Sequence, residues 1–132
     1  MIYTIDLDVL LLERADHPGY WQSVTGSQHE GEMLAETAAR EVKEETGLNV
    51  ADYEFSDWHM SQEYEIFAEW RHRYAPGTTH NLEHVFGLKV PKKMKVTLAP
   101  REHISYIWLP YREAAEKVFS WTNREAILLL KK

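Results

Sequence analysis

The spacing of apolar residues changes period several times along the chain, and the changes outline its elements. Val9 to Arg14 and Trp21 to Thr25 predict two short strands around a turn, AspHisProGly at 16 to 19. From Met33 to Thr46 the chain is rich in Ala, Glu, Leu and Lys and free of Gly and Pro. That stretch predicts a helix ending at Gly47, the residue best suited to a left-handed cap. Leu34, Ala35, Ala38 and Val42 form its apolar stripe. Strand-like patterning returns at about Tyr53 to Met60, Glu63 to Trp70, Glu83 to Val90 and His103 to Leu109. Pro110 opens a short helix through Val118, and Thr122 with Glu125 forms a capping box for a last helix, Asn123 to Lys132. With no repeat or linker-like run, these elements predict a single domain of α/β class. The expected form is an α/β/α sandwich with a central mixed sheet.

Composition narrows the picture. A chain of 132 residues suits one domain, and 44% hydrophobic with 27% charged residues is an ordinary globular mix. No window reaches the ~20 apolar residues of a membrane span. MetIleTyrThrIleAspLeu lacks the basic start of a secretory signal, so a cytoplasmic location and no membrane partner are expected. The absence of cysteine excludes disulfides and thiolate zinc sites. A net charge of -6, from 15 basic and 21 acidic residues, argues against a nucleic-acid partner. An acidic protein binds a polyphosphate only through local cations, supplied by arginine and lysine or by a divalent metal.

The chemistry concentrates on the helix before Gly47, in ArgGluValLysGluGluThrGly at 40 to 47. Glu41, Glu44 and Glu45 fall within an arc of about 100° beside the apolar stripe, at the edge of the buried face. Like charges at this spacing repel, and the helix C-terminus disfavours anions. A hard divalent cation, Mg²⁺ or Mn²⁺, would offset both. Taken alone, such a cluster is more often a solvated acidic face. Spacing tips the balance the other way: Gly26, Glu32, Arg40, Glu41, Val42, Glu44, Glu45, Gly47 and Leu48 stand as Gx5Ex7REUxEExGU, where U is a bulky aliphatic residue. Chance agreement is well below about one in a million at ordinary residue frequencies.

This run resembles the signature of the Nudix hydrolases at every defined position. The resemblance implies a loop, a helix and a loop packed on a mixed sheet, with Glu41 and Glu45 as metal ligands and Glu44 as a further ligand. Arg40 and Glu32 would form an ion pair holding the loop, and Gly26 and Gly47 would permit the turns. Similarity continues outside the box through TyrTrpGlnSerValThrGly at 20 to 26, TyrGluIlePhe at 64 to 67, ArgHisArgTyrAlaProGly at 71 to 77 and SerTrpThrAsnArg at 120 to 124. It looks closest there to the bacterial dihydroneopterin triphosphate pyrophosphohydrolases. That branch cuts a pterin triphosphate of folate synthesis, and often dATP-like nucleotides, to the monophosphate and pyrophosphate.

The same resemblance makes Glu102, in ProArgGluHis, a metal ligand or base, with Glu41, Glu44 and Glu45 as the other catalytic carboxylates. It places Arg14 and Thr25 beside the substrate and lines the pocket with Tyr64, Glu65, Ile66, Phe67 and Ser120. The implied cofactor is Mg²⁺, with Mn²⁺ as a substitute, and the implied partner is a small-molecule triphosphate; oligomeric state stays open. Met1 stands only eight residues before Val9, so a shortened first strand is expected. Two other readings share the box: a hydrolase of oxidised nucleotides, ADP-sugars or RNA 5′ ends, and a nucleotide-binding domain without catalysis. Three remaining features carry blander expectations. His80 and His84 read as surface or loop histidines, Arg71 to Arg73 as a solvated charge run, and Trp21 and Trp121 as the tryptophans nearest the pocket.

Overall fold

The second strand organises the molecule. In the computed structural model, which describes residues 1–25, 29–66, 68, 76–77 and 80–130, strand β2 (Asp8–Arg14) has Val9, Leu10, Leu11 and Leu12 completely buried. An unbroken apolar run of this kind fits a strand covered on both faces. Strand β6 (His103–Pro110) pairs antiparallel along one edge of β2. The other edge is shared by β1 (Ile2–Thr4), antiparallel near its start, and β3 (Trp21–Gln22), antiparallel near its end. Strand β1 then pairs in parallel with β5 (His80–Val90), and β5 pairs antiparallel with β4 (Glu54–Glu65), giving a mixed sheet of six strands.

Alternation along β2 divides the core. Leu10 and Leu12 face Ile2, Val42, Leu88 and Val90 beneath helix α1 (Leu34–Thr46). Val9 and Leu11 face Ala114, Ala115, Ile127 and Leu130, from helices α2 (Tyr111–Lys117) and α3 (Trp121–Leu128) and the turn after α3. At ~1.5–3 kcal/mol for each fully buried large aliphatic side chain, both faces matter to the fold. The α/β sandwich with a mixed sheet is therefore what the chain forms. Among the described residues no helix is long and apolar enough to cross a membrane.

Several elements differ from expectation. The first three-residue strand, Ile2–Thr4, precedes everything the apolar pattern marked, and Leu7 turns the chain back with φ of 67°. The two strands expected around 53–60 and 63–70 are one, β4, because a register shift between Asp57 and Ser61 absorbs the break in alternation. Residues 69 and 70 lie outside the described residues. Helix α3 starts at Trp121 with Ser120 at its cap position, and the Thr122 hydroxyl instead donates to Glu83 Oε2 at 3.1 Å. His80 and His84 are both exposed on β5.

The buried face of α1 is also rotated from the expected stripe. Thr37, Val42, Glu45 and Thr46 are buried, whereas Ala35 is exposed. The helix closes at Gly47, whose φ of 78° and bond from its N–H to the Lys43 carbonyl form the expected left-handed cap. Thr97 N donates to the Thr46 carbonyl at 2.9 Å, tying the segment after β5 to this helix end.

Candidate active site

Helix α1 brings its carboxylates against the far end of β2, and the surrounding polar residues fix each in a different state. Arg40 organises the outer part. Its Nε and Nη2 grip both oxygens of Glu32 at 2.8 and 3.1 Å, and its Nη1 donates to Glu41 Oε1 at 2.6 Å and Glu44 Oε2 at 3.1 Å. Glu32 also accepts from the His29 backbone N–H and the Thr37 hydroxyl, so the loop is pinned to the helix as the signature implies. The Arg40 guanidinium and these other donors hold the Glu32 carboxyl at about 2. A bidentate arginine–carboxylate pair gives geometric definition that lysine cannot match. Gly26 lies outside the described residues.

Glu45 is in the opposite state. It is 2% exposed, and burial, reinforced by Glu41, Glu102 and Glu44, pushes its carboxyl up to about 9. Glu41 is raised too, chiefly by burial, with Arg40 working against the shift. Ligand atoms of Glu45, Glu102 and His103 lie within 4.8 Å of one another. Glu45 Oε2 has no hydrogen-bond partner among the described residues. A buried oxygen without a donor, crowded by like charges, costs stability in the protein alone. The carboxylate oxygens of Glu45 and Glu102 are hard donors, which suit Mg²⁺ or Mn²⁺, and a cation there would relieve the repulsion and satisfy the unpartnered oxygen. The residues fit the metal.

His103 was not anticipated from the sequence. It is 3% exposed, and burial, with Arg14 nearby, lowers its pKa to about 4, so the ring is neutral. Strict alternation on β6 would turn it away: Tyr106 and Trp108 face α1, while Ile107 and Leu109 face α2 and α3. A bulge intervenes. Glu13 pairs with Ser105, but Arg14 pairs with His103, so Ile104 is the extra residue and His103 joins the α1 face.

The remaining expected residues are spread over several places. Arg14 pairs with both oxygens of Asp16 at 2.8 Å and donates to Gln22 Oε1, while Thr25 Oγ1 accepts from Gln22 Nε2; both thus join the polar group around His103 through Gln22. Ser120 Oγ lies 2.8 Å from Thr122 Oγ1, which reaches Glu83 on β5. Glu65 is exposed at the end of β4 and Ile66 is buried just after it. Phe67, the Tyr64 side chain and Arg71 to Arg73 lie outside the described residues. Trp21 sits on the face opposite Gln22, with Lys117 Nζ 5.1 Å from its ring centroid, and Trp121 is half exposed on α3.

Comparison with known proteins places these features in context. The NUDIX domain family matches residues 1–130. The chain is 45% identical over 130 residues to the dihydroneopterin triphosphate diphosphatase of Escherichia coli K12, covering 96% of this chain and 85% of that protein. It is 40% identical to the protein of the same name from Haemophilus influenzae, covering 96% and 81%. The solved structure of the E. coli dihydroneopterin triphosphate pyrophosphohydrolase superposes with a TM-score of 0.93 at 44% identity, covering 98% of this chain and 89% of that one.

Proposed function

The chain belongs to the NUDIX family, and from that premise we propose that it is a divalent-metal-dependent pyrophosphohydrolase acting on dihydroneopterin triphosphate. The products are the monophosphate and pyrophosphate, and dATP-like nucleotides are secondary substrates. One observation carries the chemistry: a buried Glu45 with an unpartnered oxygen, beside Glu41, Glu102 and Glu44. The names of the two bacterial diphosphatases supply the substrate.

Glu41, Glu45 and Glu102 would hold the cation, Mg²⁺ with Mn²⁺ as substitute, with Glu44 as a further ligand at the rim. A cation held there would supply charge to neutralise phosphate oxygens and to acidify the attacking water. The protein's own groups do the rest. Arg40 keeps Glu41 and Glu44 oriented and anchors the loop through Glu32. Glu44 Oε2 accepts from Arg40, whereas Glu102 is exposed beside Glu45, so this reading gives Glu102, through the oxygen not offered to the cation, the proton of the attacking water. Arg14, braced by Asp16, steers the phosphates. Thr25 is assigned a place beside the substrate by the family resemblance, which gives the ring system to Tyr64, Glu65, Ile66, Phe67 and Ser120.

The test is pyrophosphate release with Mg²⁺ across dihydroneopterin triphosphate, dATP, 8-oxo-dGTP and ADP-ribose, with Glu45→Gln as control. The expected result is preference for the pterin and loss of turnover in the variant. Equal turnover across the panel would overturn the substrate. No turnover by the folded protein would instead leave a nucleotide-binding domain.

A further inference from the structure

The polar chain behind Glu45 has a direction, and that direction decides what His103 does. Arg14 Nη1 can only donate, so the Gln22 atom 3.0 Å from it must be the amide oxygen. Gln22 Nε2 then faces Thr25 Oγ1 at 3.2 Å and His103 Nε2 at 3.4 Å. An amide N–H needs a lone pair opposite it, so His103 Nε2 is the unprotonated nitrogen and the ring hydrogen sits on Nδ1. That nitrogen is 3.5 Å from Glu45 Oε1 and has no other partner among the described residues. Hydrogen bonds of this kind are often long before substrate and cofactor are in place.

The alternative is that His103 ligates the cation itself, as its proximity to Glu45 and Glu102 would permit. For Nδ1 to offer a lone pair, the ring hydrogen must move to Nε2, where it would meet the Gln22 N–H in a buried setting. Two donors face to face cost more than they return.

We propose that His103 is a positioning residue: held as the Nδ1–H tautomer by Gln22, it donates to Glu45 Oε1 and leaves Oε2 turned toward the cation. The bulge at Ile104 exists in this reading to deliver that donor. The inference rests on the metal-dependent reading above and adds which nitrogen acts, on which oxygen, and why the ring is not a ligand.

Nitrogen-15 NMR of the histidine side chains tests the tautomer directly, in the metal-free and Mg²⁺-loaded protein. His103 should show a protonated Nδ1 and a bare Nε2 in both, and a bare Nδ1 would overturn the proposal. Mn²⁺ affinity, read by calorimetry and electron paramagnetic resonance, tests the consequence. His103→Asn keeps an N–H near the place of Nδ1 and should bind within about threefold of wild type, whereas His103→Ala should weaken binding roughly tenfold or more. Unchanged affinity in the Ala variant would overturn it. Gln22→Leu covers the case of misfolding at His103, since it leaves the ring in place and removes the amide that fixes it, together with that amide's bonds to Arg14 and Thr25; it should mix the two tautomers and weaken Mn²⁺ several-fold. A Gln22→Leu protein with an unchanged tautomer and unchanged affinity would count against the proposal. None of these measurements needs turnover. Absence of hydrolysis with the expected tautomer would sink the proposed function alone, and hydrolysis with a bare Nδ1 would sink this inference alone.

Discussion

Replacing Glu45 with glutamine should make the metal-free protein more stable while abolishing its activity. The folded carboxyl is pushed from its ordinary 4.5 to about 9, so between those values the folded chain holds a proton that the unfolded chain releases. Stability carried by this group is therefore undiminished below pH 4.5 and falls as pH rises toward 9. At pH 7 the deficit is set by the distance from 4.5, and at ~1.4 kcal/mol per pH unit it comes to about 3 kcal/mol. That figure holds wherever the folded value lies, provided it stays above 7. Glutamine has the shape of the protonated acid, keeps an oxygen for His103 and carries no proton to lose. Urea unfolding in EDTA at pH 5, 7 and 8.5 reads the difference, which should grow with pH, and thermal unfolding at neutrality should show it as roughly 10 °C in Tm. His103 does not confuse the upper range: its lowered pKa makes stability fall only below 6.5, toward 4. Saturating Mg²⁺ should stabilise wild type much more than the variant. A variant no more stable than wild type at pH 8.5, or a difference that shrinks as pH rises, would refute the reasoning.

Four further outcomes follow from the same geometry. His103 contributes stability that climbs as pH rises from 4 to 6.5, so in the Glu45→Gln background a pH series of urea midpoints should lose that rise when His103 is replaced by asparagine, the raised Glu41 and Glu83 acting alike in both proteins. Arg40→Lys cannot grip both oxygens of Glu32 while reaching Glu41 and Glu44, so kcat/KM with Mg²⁺ should drop roughly ten- to a hundredfold. Gly47→Ala places a side chain at a φ of 78°, with only ordinary contact to Thr97 Cβ at 3.5 Å, and should cost about 1–2 kcal/mol by urea unfolding. Gly87→Ala should cost about 1–3 kcal/mol, since the new methyl would lie 2.5 Å from Trp58 Nε1, while kcat of the surviving folded protein stays unchanged.

Legibility in the sequence followed locality. Helix α1, its glycine cap and the Arg40–Glu32 ion pair were readable because the residues that define them lie within one contiguous run whose spacing encodes the geometry. Strand β1 was not, because three residues are too few to establish a period and its order comes from partners on β2 and β5. Strand β4 read as two pieces because its bulge interrupts the alternation on which such readings depend. The rotation of α1 escaped notice because a buried glutamate counts as polar in any apolar stripe, although Glu45 is among its most buried residues. His103 stands far from the box in the chain and carries no motif, and Gln22 lies in the TyrTrpGlnSerValThrGly stretch just before the box, whose match does not say which partner its amide takes. The one hint was a histidine adjoining Glu102, and alternation on β6 pointed it toward the wrong face.

The bulge on β6 also governs how the protein tolerates a change of length. Ile104 is half exposed, and most replacements of its side chain leave β6 and the site as they are. Deleting it is another matter. With the extra residue gone, Glu13 and Ser105 keep their pairing while His103 slides into the register position of Ile104 and turns over to the side of α2 and α3. Glu102 is drawn along with it. A scan of single-residue deletions along β6 would thus find its deepest loss of metal binding at a position where a scan of substitutions finds almost none.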